Sequence, residues 1–199
     1  LPRRIGIADV EAFIRLHAAW VCEKLDEHTQ RSVRRQISIR DGIELPVLGT
    51  DITVRVAPPR TQGHNRSAWF DRLLELSARH DADLDALARR ALQQRALAHF
   101  GERLAHFLSL AGIATPPRLG LSSARTRWGS CSHTSGIRLN WRLIHLPTAL
   151  VDYVIVHEIC HLKEMNHSPR FWAEVESLCP DWRALRAELK YQGSRIPLL

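Results

Sequence analysis

Apolar residues recur at helical spacing over residues 8–28, at Val10, Phe13, Ile14, Ala18, Val21, Cys22 and Leu25, which predicts a helix with one buried face. The period then changes. The stretch ISIRDGIELPVLGTDITVRVA sets short β-prone runs between the turn signals Asp41-Gly42 and Gly49-Thr50, and reads as a hairpin or meander. A polar loop over 58–68, PPRTQGHNRSA, leads to WFDRLLELS, read as a strand. From 82 to 111 the helical stripe returns through Leu84, Leu87, Ala91, Leu92, Ala98, Leu104, Phe107, Leu108 and Ala111. It stops at Gly112, with Pro116-Pro117 beyond.

The segments RLGLSSARTRWGSCS and GIRLNWRLIHL flank HTSG, which predicts an antiparallel hairpin. In the second arm Ile137, Leu139, Trp141 and Leu143 are expected on one side, and Arg138, Asn140 and Arg142 on the other. Pro147 opens a helix expected to run to about Glu164. Ser168-Pro169 supplies the cap and first position of the next helix, PRFWAEVESLC; Pro180 ends it and Asp181 starts a last one. The layout is α+β, without internal repeats. The expected division is a helix plus β-hairpin region over 1–80 and a domain over 81–199 that carries the chemistry.

A chain of 199 residues suits one substantial domain, or one with a small appendage. No run of about 18 apolar residues occurs, so no membrane-spanning helix is expected. The start, LPRRIGIADVEAF, has neither the sections of a signal peptide nor an initiator Met, and an N-terminal extension is left open. Cys22, Cys131, Cys160 and Cys179 show no metal-finger spacing; free thiols in a reducing cytoplasm are expected. Net charge is +7, and only Lys24, Lys163 and Lys190 among the 28 basic residues are lysine. The arginine excess reads either as codon bias or as an anionic partner such as a nucleotide or nucleic acid.

The chemistry concentrates in DYVIVHEICHLKEMNHSPRFW, residues 152–172. His157 and His161, four apart, lie one above the other on a helix and can share a metal ion. Glu158 flanks that face as a general base, the H-E-x-x-H arrangement. The surrounding helix is apolar (Leu150, Val151, Val154, Ile155, Ile159, Leu162), and core packing does not call for two His and one Glu there. A third ligand is needed. On a continued helix His167 would lie about 240° round from His161, so the helix must stop first, with Met165-Asn166 as the turn. The competing readings are a surface His167, with Glu174 or Glu176 as the ligand; Glu164 lies about 10 Å along the axis from His157, too far to share the ion. Cys131 with His133 is a minor candidate for a second metal. RWGSC reads as a strand for an extended substrate, with Gly129 permitting close backbone approach. Arg127 or Arg142 could stabilise developing negative charge. The bland alternative puts Trp128 and Trp141 in the core and pairs Arg142 with a carboxylate.

RTRWGSCS, GIRLNWRLI and PTALVDYVIVHEICHLKEMNHSPRFWAEVE together resemble the YgjP-like metallopeptidase family, relatives of the SprT-like and WLM zincins. The likeness is dense over 118–182 and looser through DGIELPVLGTDITVRV. It implies a zincin-like α+β fold, with mixed or antiparallel strands and hairpins packed on the H-E-x-x-H helix and further helices before and after. It also implies one zinc ion on His157, His161 and His167, with Glu158 as base; Mn2+ or Mg2+ is an alternative ion. Arg127, Trp128, Gly129, Ser130, Asn140 and Arg142 are its signature positions, expected at the substrate. Zinc-dependent hydrolysis of a peptide or protein is the first functional reading. Hydrolysis of a nucleoside triphosphate at the same site is the second, and a DNA-associated protease of SprT-like type the third. The sequence leaves the oligomeric state open.

Overall fold

The computed structural model describes residues 6–8, 10–18, 20, 22–23, 36–59, 61–132 and 134–199. By contacts the chain divides into Leu1–Ile37 with Leu198, and Ser38–Pro197 with Leu199. In the first unit residues 7–8 and 10–18 are helical, as the spacing predicts. Val10, Phe13 and Ile14 of the expected buried stripe are exposed, however. Amphipathic spacing marks a face able to be buried, not the element that covers it. Val21 and Leu25 lie outside the described residues.

The second unit begins with the expected hairpin. Strands β1 (Glu44–Val47) and β2 (Thr50–Val56) pair antiparallel through Leu48-Gly49, both at positive φ, a turn whose twist matches the strands. WFDRLLELS is not one strand. It is split between β3 (Arg66–Phe70) and β4 (Leu73–Ser77), an antiparallel hairpin that turns at Asp71, φ 47°. The turn falls at the polar pair Asp71-Arg72, between Trp69-Phe70 and Leu73-Leu74. The sheet order is β1-β2-β4-β3, with β2 and β4 parallel. Leu45, Val47, Ile52, Val54, Leu74 and Leu76 alternate onto the buried face.

Helix α1 (Leu84–Leu110) is capped by Asp83, whose carboxylate accepts from the Ala86 N–H at 2.9 Å. Ala96 and Phe100 are buried where Ala98 was expected inward; Ala98 is exposed. The second sheet comprises β5 (Leu119–Ser122), β6 (Gly129–Ser132) and β7 (Gly136–Asn140), in the order β5-β7-β6. The hairpin expected around HTSG is β6–β7, antiparallel; β5 runs parallel to β7 on its other side. The alternation expected through Leu143 stops at Asn140, where a 3-10 helix (Trp141–His145) begins. Asn140 caps it through Oδ1, which accepts from the Arg142 N–H at 3.1 Å, so Asn140 is buried while Arg138 is exposed.

Helix α2 (Thr148–Cys160) follows, then α3 (Pro169–Leu178) and α4 (Trp182–Gly193). α2 ends four residues before the expected Glu164, its last turn passing into tight turns from His161 to Lys163. It packs between α1, α4 and the edge of β6. Arg103 on α1 grips Asp152 on α2 through Nε and Nη2, at 2.7 and 2.8 Å. Among the described residues no helix is long and apolar enough to cross a membrane.

Candidate metal centre

His157 lies in the last turn of α2, and His161 caps that helix. The Nδ1–H of His161 donates to the Glu164 carbonyl at 3.1 Å, which leaves Nε2 bare. The chain then turns, with the Ser168 N–H donating to the Asn166 carbonyl at 2.7 Å. Ser168 caps α3 through its hydroxyl, which accepts from the Phe171 N–H at 3.3 Å. Between those two events His167 comes back over α2. Its Nε2 lies 3.0 Å from His157 Nε2. The three ring centroids are 4.8 to 5.0 Å apart, and their ligand-capable nitrogens all fall within 4.8 Å of one another. Phe171, fully buried, forms the floor, its ring centroid 4.6 to 4.9 Å from each imidazole.

The donor set fits a divalent ion. Bond lengths of about 2.0–2.1 Å at tetrahedral angles place neighbouring nitrogens about 3.3 Å apart, close to the His157–His167 separation. Burial pushes the His157 pKa down to about 3, and His161, His167 and Arg186 press the same way, so the ring is neutral and its lone pair free. His157 Nδ1 is buried without a partner. With the hydrogen there, the Nε2 of His157 is bare and faces His167, as a metal ligand would. Glu174 and Glu176 are engaged elsewhere, by Lys163 at 2.9 Å and Arg183 at 2.7 Å. Glu164 Oε1 accepts from the Asn166 N–H. His133 lies outside the described residues.

Glu158 is only 5% exposed. Burial raises its carboxyl to about 7, with Arg127 pulling the other way. The backbone of β6 runs directly over it. A Cβ added at Gly129 would fall 2.7 Å from Glu158 Cγ and 2.8 Å from Cδ, so glycine here serves close approach. Cys131, two residues on, also feels the Glu158 charge, after burial, as an upward push on its thiol. Ser130 is half-buried on the same strand. Among the described residues β6 pairs only with β7 and forms an edge of its sheet.

The other signature residues lie around this core in different ways. Asn140, 3% exposed, clamps the segment before β6: its amide donates to the carbonyls of Ala124 at 2.7 Å and Arg127 at 3.2 Å. Its own N–H donates to Trp128 O at 2.7 Å. Trp128 packs on Gly193 of α4, where a Cβ would meet the indole at 2.5 Å. Trp141 is buried. Arg142 lies over Trp141, and the charges acting on it are Arg89 and Arg125. Gly129 therefore meets Glu158 and the charge of Arg127 acts on it, whereas Asn140 and Trp128 hold the segment that carries them.

Sequence reasoning missed Arg186, Phe171, Trp172 and Tyr153. Arg186, on α4, acts on His157, His167 and Tyr153 and stacks over Trp172 at 5.2 Å. Trp172 stacks on His167 and on Trp182. Their places depend on how α3 and α4 fold back on α2, which spacing within one helix does not reveal.

Three convergent imidazoles and a buried carboxylate on an α+β scaffold define a class, the metal-dependent hydrolases. The sequence model of the family described as YgjP-like, metallopeptidase domain, matches residues 1–192, and the chain belongs to that family. Two crystal structures are similar to it. One, of the metallopeptidase zymogen of Pyrococcus abyssi abylysin, is 23% identical at a TM-score of 0.45, over 50% of this chain and 99% of that one. The other, of the metallopeptidase zymogen of Methanocaldococcus jannaschii jannalysin, is 18% identical at 0.43, over 47% and 95%. Comparison with curated proteins returned no match.

Proposed function

We propose that the chain is a zinc metallopeptidase in which His157, His161 and His167 hold one Zn2+ and Glu158 is the general base. The observation that carries this reading is the convergence of the three rings beside a buried, near-neutral carboxyl. When bound, zinc supplies Lewis-acid chemistry, polarising a carbonyl and lowering the pKa of water to about 7. The chain's own residues do the rest. The Glu164 carbonyl fixes the tautomer and orientation of His161. Glu158 takes a proton from water, holds it on a carboxyl oxygen and passes it to the leaving amine, a shuttle suited to a group titrating near pH 7. The charge of Arg127 favours the ionised form of that carboxyl. The free edge of β6 offers backbone N–H and C=O groups to an extended peptide, with Gly129 bringing that edge against Glu158. Four unpaired thiols support a reducing, cytoplasmic setting.

The test is Glu158→Gln, with turnover measured on an unfolded protein and on a nucleotide panel. The variant is expected to keep its zinc and lose about 10²–10⁴-fold in peptide hydrolysis. Unchanged proteolysis removes Glu158 from the mechanism. Nucleotide hydrolysis by wild type without proteolysis overturns the substrate class.

A further inference from the structure

Arg15, Arg55, Arg79, Arg103 and Arg183 each meet a carboxylate. Arg89, Arg125 and Arg142 are among those that do not. Arg142 lies on the 3-10 helix, its guanidinium 4.8 Å from the centroid of the buried Trp141 ring. Its Nε is buried and has no hydrogen-bond partner. Arg89 lies in the second turn of α1, which packs on that 3-10 helix, and its Nε is likewise buried without a partner. Arg125 is exposed in the segment between β5 and β6. The Asn140 amide bonds to Ala124 O and Arg127 O bracket it and tie the segment to the start of the same 3-10 helix. Burial first, then the charges of Arg89 and Arg125, weaken the hold of Arg142 on its proton, as expected where cations crowd without an anion between them. Among the described residues no carboxylate pairs with any of the three.

We propose that Arg89, Arg125 and Arg142 form a binding site for a multivalent oxyanion of the phosphate type, separate from the three histidines. Crowded like charges and unmet buried donors both destabilise a fold, and one anion between the guanidiniums relieves both. Guanidinium forks match tetrahedral oxyanions two bonds at a time. A single carboxylate would leave two of the three charges unbalanced, which favours a dianion. With Arg125 exposed, one side of the site is open, so free phosphate and a phosphate monoester share the chemistry. The proposal does not rest on the peptidase reading.

The test is calorimetric titration of the full chain with inorganic phosphate and with phenyl phosphate at constant ionic strength, both zinc-loaded and after chelation. Saturable binding at one per chain is expected in both metal states. Arg142→Gln and Arg125→Gln are each expected to weaken it roughly ten-fold or more, the usual worth of a charged hydrogen bond. Tighter binding of phenyl phosphate assigns the site to a monoester, and tighter binding of phosphate to the free anion. No saturable binding, loss on chelation, or equal affinity in both variants overturns the proposal. Arg125 is exposed, so Arg125→Gln keeps the test decisive even where Arg142→Gln does not fold.

Discussion

Gly129→Ala adds one methyl group and is expected to disable the centre without touching a ligand. The new Cβ would lie 2.7 Å from Glu158 Cγ and 2.8 Å from Cδ, where carbon contacts normally settle at about 3.5–4.0 Å. Something must give by about 1 Å. The β6 backbone is held by its register with β7, Gly129 opposite Leu139, and the backbone of Glu158 by α2. The Glu158 carboxyl is the part free to move. A displacement of that size costs about 10²-fold in rate, or about 2.7 kcal/mol of barrier. Overpacking adds roughly 1–3 kcal/mol of destabilisation. The assay is kcat and KM on a fluorogenic unfolded-protein substrate, with zinc content and Tm measured on the same preparation. The expected result is kcat down about a hundred-fold, zinc retained and KM little changed. If Gly129 serves only to admit the substrate backbone, KM rises instead and kcat holds. A kcat within about three-fold of wild type refutes the steric reasoning.

Asn140→Ala removes the amide NH2 that donates to two carbonyls and the acceptor of the Arg142 N–H. A loss of roughly 2–3 kcal/mol is expected by urea denaturation, and a loss below about 0.5 kcal/mol contradicts the clamp. His145 is 4% exposed, and burial lowers its pKa from 6.5 to about 4, with its Nδ1 on the Pro46 carbonyl at 2.8 Å. The unfolded chain therefore binds the proton more readily. The contribution of this group is complete above about pH 6.5 and drains away as pH falls towards 4, by about 3 kcal/mol in all. Denaturation of wild type and His145→Gln at pH 7.5 and 4.5 checks it; identical pH dependence in the two contradicts it.

Much of the site is legible one helix at a time. Four-residue spacing sets His157 and His161 on one face of the helix, and the phase of α2 requires the chain to break before His167 can join them. Ser168-Pro169 marks where the next helix starts. The β1–β2 hairpin is announced by its turn residues. Other features escape because a strong local pattern masks them. Apolar alternation runs unbroken past Asn140, so the 3-10 helix has no signal in hydropathy, whereas the β3–β4 turn is marked only by the polar pair Asp71-Arg72. Arg127 and Arg142 look alike in sequence, yet one acts on Glu158 and the other lies with Arg89 and Arg125. Only the path of the segment pinned by Asn140 separates them. Arg186 and Phe171 reach the histidines through the packing of α3 and α4, a property of tertiary structure alone.

The most direct measurement is the metal content of the purified chain by elemental analysis, beside that of His157→Ala, His161→Ala and His167→Ala. One zinc per wild-type chain is expected, with occupancy lost in each variant while the fold persists by circular dichroism. A wild-type chain that stays metal-free when offered zinc, or a His167→Ala chain that binds zinc as tightly as wild type, contradicts a centre built from these three rings.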